Sequence, residues 1–129
     1  MNDTIGGKDV VVTYCPLCRS GIVFDNRLQD GTLLTFGDIG ALYQSAMVMY
    51  DRGTEGAWWQ AAGEAITDPL KGAYLRPLPS IVTTWFEWRA IFPATRVLSR
   101  ETGYLRSYGI DVFSGYEAAV DRPPAGRYP

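Results

Sequence analysis

Two cysteines separated by two residues are the strongest chemical feature of this sequence. Cys15 and Cys18 stand in the run Cys-Pro-Leu-Cys-Arg-Ser-Gly and are the two cysteines of a 129-residue chain. A Cys-x-x-Cys turn brings two thiols close enough to share a metal ion or to interconvert between a dithiol and a disulfide. This turn is therefore the first candidate for a functional site.

Three interpretations of the pair stay open from the sequence. As metal ligands, Cys15 and Cys18 resemble a zinc knuckle, but a closed Zn(II) site needs four ligands, so two thiolates suit Cu(I) or half of a zinc site shared across a dimer. As a redox pair they would form a disulfide, and Arg19 is the nearest charge able to support a thiolate. The third interpretation is structural, with two small apolar side chains packing a tight turn.

The absence of histidine restricts the chemistry more than any other feature of the composition. It excludes Ser-His-Asp and Cys-His catalysis, and histidine-ligated zinc, haem or facial-triad iron, within these residues. A general acid or base must be a carboxylate, a tyrosine, a cysteine or a lysine. The carboxylates show no spacing that singles out a catalytic pair, and Asp51-Arg52 predicts a turn with solvated charge.

Tryptophans supply the second candidate site. Trp58, Trp59, Trp85 and Trp88 are candidates to line a ligand pocket, although large aromatic side chains more often build a core. If Trp58 and Trp59 share a strand, one ring faces away from the core and is the better candidate for a pocket or interface. The alternative function is thus a non-catalytic ligand-binding or interaction module, and a further alternative is a truncated fragment without its own activity.

The elements that must position these residues are mostly strands. Apolar and β-branched runs bounded by turn residues predict strands over Asp9–Tyr14, Ser20–Asp25, Thr32–Phe36 and Ser45–Tyr50, with shorter ones between Trp58 and Leu75. Asp30-Gly31 predicts a hairpin turn. Gly37 and Gly40 are expected to bracket a further turn, because Gly37-Asp-Ile-Gly40 lacks the third glycine and the βαβ setting of a dinucleotide-binding loop.

One segment is predicted to be helical. Thr84 and Glu87 have the spacing of a capping box, and Pro93 stops the run after Phe92. Val97–Leu98 is then predicted to return as a strand. The sequence therefore predicts an α+β, mainly β fold, an antiparallel meander or partly open barrel with one main helix at about 84–92. We expect one globular domain over 1–121 and a flexible tail over 122–129.

Charge and hydropathy narrow the range of partners. The formal net charge is −2 with both signs interleaved, so nucleic acid is not an expected partner. No run reaches the roughly 20 apolar residues of a membrane span. The first residues lack the basic region and apolar core of a signal peptide, which predicts a cytoplasmic protein for the chain as written. We expect a homodimer through an uncovered strand edge or apolar patch.

Several runs in order resemble an uncharacterised prokaryotic group, domain-of-unknown-function family 3179. The runs are Val12–Cys18, Leu34–Gly37, Val48–Arg52, Gly63–Ile66, Thr83–Trp85, Val97–Ser99 and Thr102–Tyr104. The resemblance implies that the cysteine turn is a family feature, and it implies no particular activity. The resemblance also implies that relatives are longer and often exported. Such relatives are expected to carry a His-Glu pair at the place where Met1 stands here, so this chain would carry an incomplete version of any site that uses that histidine.

Overall fold

The chain divides into two units, Met1–Val82 and Thr83–Pro129. The computed structural model describes residues 1–110. Both candidate cysteines and both sheets belong to the first unit, whereas the helix belongs to the second. The single domain expected over 1–121 stays a prediction, and the tail expected over 122–129 lies outside the described residues.

Two antiparallel sheets build the first unit, which confirms the mainly β prediction. Its strands are β1 (Asn2–Ile5), β2 (Lys8–Cys15), β3 (Ser20–Asp25), β4 (Phe36–Tyr43), β5 (Ala46–Asp51), β6 (Ala57–Trp59), β7 (Glu64–Ala65) and β8 (Arg76–Leu78). The first sheet has the order β1-β2-β3-β8, and the second is a meander in the order β4-β5-β6-β7. The described residues therefore form two open sheets instead of a closed barrel.

The core lies between the inner faces of the two sheets. Val11 and Phe24 come from the first sheet, and Phe36, Met49 and Trp58 come from the second. The rings of Phe36 and Trp58 meet edge to face with their centroids 5.5 Å apart. Because side chains alternate along a strand, every second residue of β2 and β5 points into this core. By the same alternation, the side chain of Cys15 in β2 points towards the second sheet.

The turn predicted between Gly37 and Gly40 is wrong, because both glycines lie within β4. The register of β4 against β5 shifts between Asp38 and Ala41, and Gly40 has a φ of +74° at this bulge. Gly37 stands opposite Tyr50, and a Cβ at this position would collide with the tyrosine ring. These glycines therefore serve a bulge and a close approach within a strand.

Two strand predictions are wrong, and the sequence did not predict β1 or β8. The chain before Phe36 forms an isolated bridge between Arg27 and Leu33 in place of the strand predicted over Thr32–Phe36. Val97 and Leu98 are not in a strand. Strand β1 joins β2 through Gly6-Gly7, two residues with positive φ of the kind that tight hairpin turns require.

The predicted helix is confirmed as α1 (Trp85–Ile91) in the second unit. The Thr84 side chain accepts a hydrogen bond from the Glu87 amide at 3.2 Å, and the Glu87 carboxylate accepts one from the Thr84 amide at 3.2 Å. This is the predicted capping box, and Phe92 is the C-cap. None of the helix side chains is buried within the described residues.

Alanine at Gly63 is expected to destabilise the first unit by about 2–5 kcal/mol. Gly63 has a φ of +66°, and a Cβ there would lie 2.7 Å from Cε1 of the buried Phe24 ring. Gly72 provides a matched control, since its φ is +83° but no atom lies within 4 Å of its Cβ position. Gly72→Ala should lose about 1–2 kcal/mol, from backbone strain alone. Urea unfolding of both variants measures the difference, and equal losses would contradict the proposed clash with Phe24.

Candidate functional site

The cysteine turn connects two neighbouring strands of the first sheet. Cys15 is the last residue of β2 and pairs with Ser20, the first residue of β3. Residues 16–19 form the turn between them. Cys15 has the same strand parity as the core residue Val11, so its side chain points between the sheets. The turn therefore places one cysteine on a core-facing strand and the other in the loop.

The two thiols have opposite exposure. Cys15 is 1% exposed, Cys18 is exposed, and both are free thiols. The Cys15 side chain is one of the groups that lower the pKa of the Cys18 thiol, so the two side chains lie near each other despite their different surroundings. The Cys18 sulfur is thus accessible to a reagent in solution, whereas the Cys15 sulfur is shielded from solvent.

The surroundings of Cys18 favour its thiolate. Burial of part of the side chain raises the pKa of the Cys18 thiol, but hydrogen bonds from the Cys15 side chain, the Ser20 hydroxyl and the local backbone lower it by more. The net pKa therefore lies below the ordinary value of a cysteine. A lowered pKa increases the fraction of thiolate near neutral pH, and the thiolate is the nucleophile and the metal ligand.

A chain of polar contacts links Cys18 to the space between the sheets. Cys18 Sγ lies 3.1 Å from Ser20 Oγ, and the Ser20 hydroxyl donates to Gln60 Oε1 at 3.2 Å. Gln60 Nε2 donates to Thr13 Oγ1 at 3.1 Å, and the Thr13 hydroxyl donates to the Ile22 carbonyl oxygen at 2.8 Å. Gln60 is 0% exposed. The chain therefore connects an exposed sulfur to a fully buried carboxamide of the second sheet.

Ser20 and Gln60 are functional candidates that sequence reasoning missed. Ser20 belongs to the cysteine run but shows no role there, and Gln60 is 40 positions further along the chain. One signal points to Gln60: it stands two positions after Trp58, so it continues the inward-facing parity of β6. A polar residue at an inward-facing position requires hydrogen-bond partners, which here are Thr13 in β2 and Ser20 at the start of β3.

Arg19 takes a left-handed backbone conformation next to Cys18. Its φ is +51°, its side chain is exposed, and it takes part in an interaction within the chain. A left-handed conformation at a non-glycine residue is strained by about 1–2 kcal/mol. This conformation brings the chain back into β3 directly after Cys18. The support that Arg19 was expected to give a thiolate stays a prediction.

The two cysteines supply the metal-ligating atoms of this turn. Among residues 1–110 no group of three or more His, Cys, Asp or Glu side chains is placed to hold a metal ion. Cys15 and Cys18 are therefore two sulfur ligands, which suits a two-coordinate Cu(I) ion or half of a Zn(II) site completed by another chain. Their assignment as metal ligands stays a prediction.

The four candidate tryptophans have different surroundings. Trp58 is 0% exposed and lies in the core, where its indole nitrogen donates to Asp51 Oδ2 at 3.1 Å. Trp59 is half-buried and meets Tyr43 edge to face. In the second unit, Trp85 is 47% exposed, and the Trp88 ring lies 4.5 Å from that of Phe92. Trp59 alternates with the buried Trp58 on its strand, and its role in a pocket or an interface stays a prediction, as does the tryptophan pocket as a whole.

Both open sheets have unpaired edges among the described residues, and part of β2 next to the cysteine turn is also unpaired on one side. β1 pairs with β2 from Lys8 to Val11, and the Val12 amide donates a backbone hydrogen bond to the Met1 carbonyl oxygen at 2.8 Å. β2 continues to Cys15, with β3 on its other side. The homodimer expected through an uncovered edge stays a prediction. No described helix has the length and apolar character needed to cross a membrane.

These features define a two-sheet antiparallel β protein with a thiol pair on a hairpin turn. The chain belongs to the family described as "Protein of unknown function (DUF3179)", whose model matches residues 1–127. This match confirms the resemblance seen in the sequence. No curated protein and no solved structure matches the chain. The family description assigns no activity, so the function must be argued from the cysteine site.

Proposed function

We propose that this protein is a thiol-active domain whose Cys15–Cys18 pair alternates between a dithiol and a disulfide. The observation that carries the proposal is the asymmetry of the pair: an exposed thiol with a lowered pKa lies near a thiol that is 1% exposed. Thiol–disulfide exchange requires one accessible thiolate to attack and a second thiol to complete the reaction. Cys18 fits the first role and Cys15 fits the second.

The reaction consumes one disulfide of a partner molecule. The Cys18 thiolate attacks one sulfur of that disulfide, the partner's sulfur–sulfur bond breaks, and the first partner thiolate leaves and takes up the proton that Cys18 released. Cys15 then loses its proton and attacks Cys18 Sγ, which breaks the mixed disulfide and releases the second partner thiolate. The products are a Cys15–Cys18 disulfide and two partner thiols, and the reverse reaction reduces the protein.

Burial of Cys15 supports its assignment as the second nucleophile. A thiol that is 1% exposed meets the mixed disulfide on Cys18 far more readily than it meets a molecule in solution. Ser20 pairs with Cys15 across the hairpin and contacts Cys18, so the two strands hold both sulfur atoms at one end of the sheet. This arrangement favours fast ring closure over accumulation of the mixed disulfide.

Exposure to oxidised glutathione tests the proposal. Wild-type protein should lose two hydrogens, form the Cys15–Cys18 disulfide and release two equivalents of glutathione, as seen by intact-mass spectrometry under native conditions. The Cys15→Ser variant lacks the second nucleophile and should accumulate one glutathione adduct on Cys18. The Cys18→Ser variant should remain unmodified while it is folded.

Two results would overturn the redox proposal. One is a native wild-type protein that remains a dithiol at every glutathione ratio while both thiols react after unfolding. The other is a Cys18→Ser variant that forms an adduct on Cys15 as fast as the Cys15→Ser variant forms one on Cys18. Thermal unfolding of the three proteins controls for loss of the fold.

Binding of a soft cation is the second candidate function, and a separate observation favours it. All three methionines of the chain line one cavity of about 290 Å³, which Thr13 of the cysteine strand also lines. Thioethers and thiolates are the ligands that Cu(I) prefers. If the cation is held in this cavity by the thioethers, Cu(I) affinity measured under reducing conditions should fall in Met47→Leu and be unchanged in Cys18→Ser. The opposite pattern would place the cation at the thiolates.

A further inference from the structure

We infer that Ser20 is a positioning residue for Cys18, and that Gln60 determines which neighbour receives the single hydrogen of the Ser20 hydroxyl. The inference rests on the proposed function, because it concerns the redox equilibrium of the same cysteine pair. Its basis is geometric: Ser20 Oγ lies 3.1 Å from Cys18 Sγ and 3.2 Å from Gln60 Oε1. One hydroxyl therefore stands between the exposed sulfur and a buried acceptor.

The carboxamide of Gln60 has a fixed orientation. The Thr13 hydroxyl donates its hydrogen to the Ile22 carbonyl oxygen at 2.8 Å, so Thr13 Oγ1 can only accept from Gln60. Gln60 Nε2 meets this acceptor at 3.1 Å, which turns Oε1 towards Ser20. Gln60 is 0% exposed, so Oε1 without a donor would be unfavourable. Gln60 therefore competes for the Ser20 hydrogen.

The hydrogen bond between Ser20 and Cys18 is stronger in the reduced pair than in the disulfide. In the reduced pair, Cys18 Sγ donates to Ser20 Oγ as a thiol or accepts from it as a thiolate, and a hydrogen bond to a charged acceptor is the stronger of the two. In the disulfide the sulfur carries no hydrogen and is only a weak acceptor, so Ser20 donates to Gln60. The hydroxyl thus stabilises the reduced state, and Gln60 satisfies the hydroxyl in the oxidised state.

Substitutions at the two positions should shift the redox equilibrium in opposite directions. Ser20→Ala removes an interaction of the reduced state, so the equilibrium with glutathione should move about fivefold towards the disulfide. Gln60→Met keeps the length of the side chain but removes the competing acceptor, so the equilibrium should move towards the dithiol. In the Ser20→Ala background, Gln60→Met should have no further effect, because its influence passes through the hydroxyl.

The experiment measures the equilibrium constant of the full chain against reduced and oxidised glutathione at fixed pH, with acid quenching, alkylation and mass spectrometry. Wild type, Ser20→Ala, Gln60→Met and the double variant form the cycle. Ser20→Thr retains a hydroxyl and should restore the wild-type constant. Thermal unfolding is recorded for each protein. If Gln60→Met does not fold, the comparison of Ser20→Ala with Ser20→Thr decides the role of Ser20.

Equal constants for wild type and Ser20→Ala would overturn the inference. A Gln60→Met shift of the same size in the Ser20→Ala background would also overturn it, since Gln60 would then act independently of the hydroxyl. A failure of the proposed function gives a different result, since the wild-type protein itself would then form no Cys15–Cys18 disulfide. That result would overturn both the proposed redox function and the inference about Ser20 and Gln60.

Discussion

Replacement of Asp51 by alanine is expected to destabilise the first unit by about 3–5 kcal/mol at neutral pH. Asp51 ends β5 and is 0% exposed, in contrast to the solvated turn that the sequence predicts. Its carboxylate accepts hydrogen bonds from the Gly53 amide, the Thr54 amide and hydroxyl, and the Trp58 indole. Alanine would leave several of these buried donors without an acceptor.

The loss should depend on pH in a defined direction. Burial raises the pKa of Asp51, but the hydrogen bonds from Thr54, Trp58 and Gly53 lower it by more, so the net pKa in the folded protein is below the ordinary value. A lowered folded-state pKa contributes stability above the unfolded-state pKa of about 3.9, and this contribution is lost as the pH falls through the folded-state value. The difference between wild type and Asp51→Ala should therefore be constant from pH 7 to about pH 5 and shrink below about pH 4.

Chemical unfolding across this pH range measures the effect, with Asp38→Ala as the control. Asp38 is exposed and accepts one hydrogen bond, from the Gly40 amide at 3.0 Å, so its loss should be within about 1 kcal/mol. Equal losses for the two variants, or an Asp51→Ala loss that grows on acidification, would contradict the assignment of Asp51 as a buried, ionised acceptor.

Local sequence signals predicted much of the fold because they act over a few residues. The capping box of Thr84 and Glu87 and the strands on both sides of the cysteine turn are short-range features, and the structure confirms them. The wrong prediction at Gly37 comes from a contact between residues that are distant in the sequence. Gly37 marks a turn when it is considered alone, but the ring of Tyr50 on the paired strand is what requires a glycine there.

The candidate site was predictable in its location but not in its polar network. Two cysteines in a proline-containing turn after an apolar strand are visible in the sequence, and the structure places them on one hairpin. The exposure of Cys18 and the burial of Cys15 depend on packing against the second sheet. The link from Ser20 to Gln60 depends on how β6 faces β3, and no spacing within one sequence encodes that contact.

In the folded protein, Cys18 should be alkylated faster than Cys15 by a factor of about 100 or more. Cys18 is exposed and has a lowered pKa, whereas Cys15 is 1% exposed and becomes accessible only when the structure opens locally. An opening free energy of about 3 kcal/mol already gives this factor. The Cys15→Ser variant should therefore react with iodoacetamide at a rate close to that of wild type, and Cys18→Ser should react only as fast as it opens.

The pH dependence of the Cys18 rate tests the cause of its reactivity. Because the pKa of Cys18 is lowered in the folded protein, the rate in folded Cys15→Ser should reach half of its maximum at a lower pH than in the same variant unfolded in urea. Cys15→Ser retains a hydrogen-bond donor next to Cys18, whereas Cys15→Ala removes it, so the midpoint should move to higher pH in Cys15→Ala. If Cys15→Ser reacts as slowly as Cys18→Ser in the folded state, the exposed thiol is not a nucleophile and the turn serves packing alone.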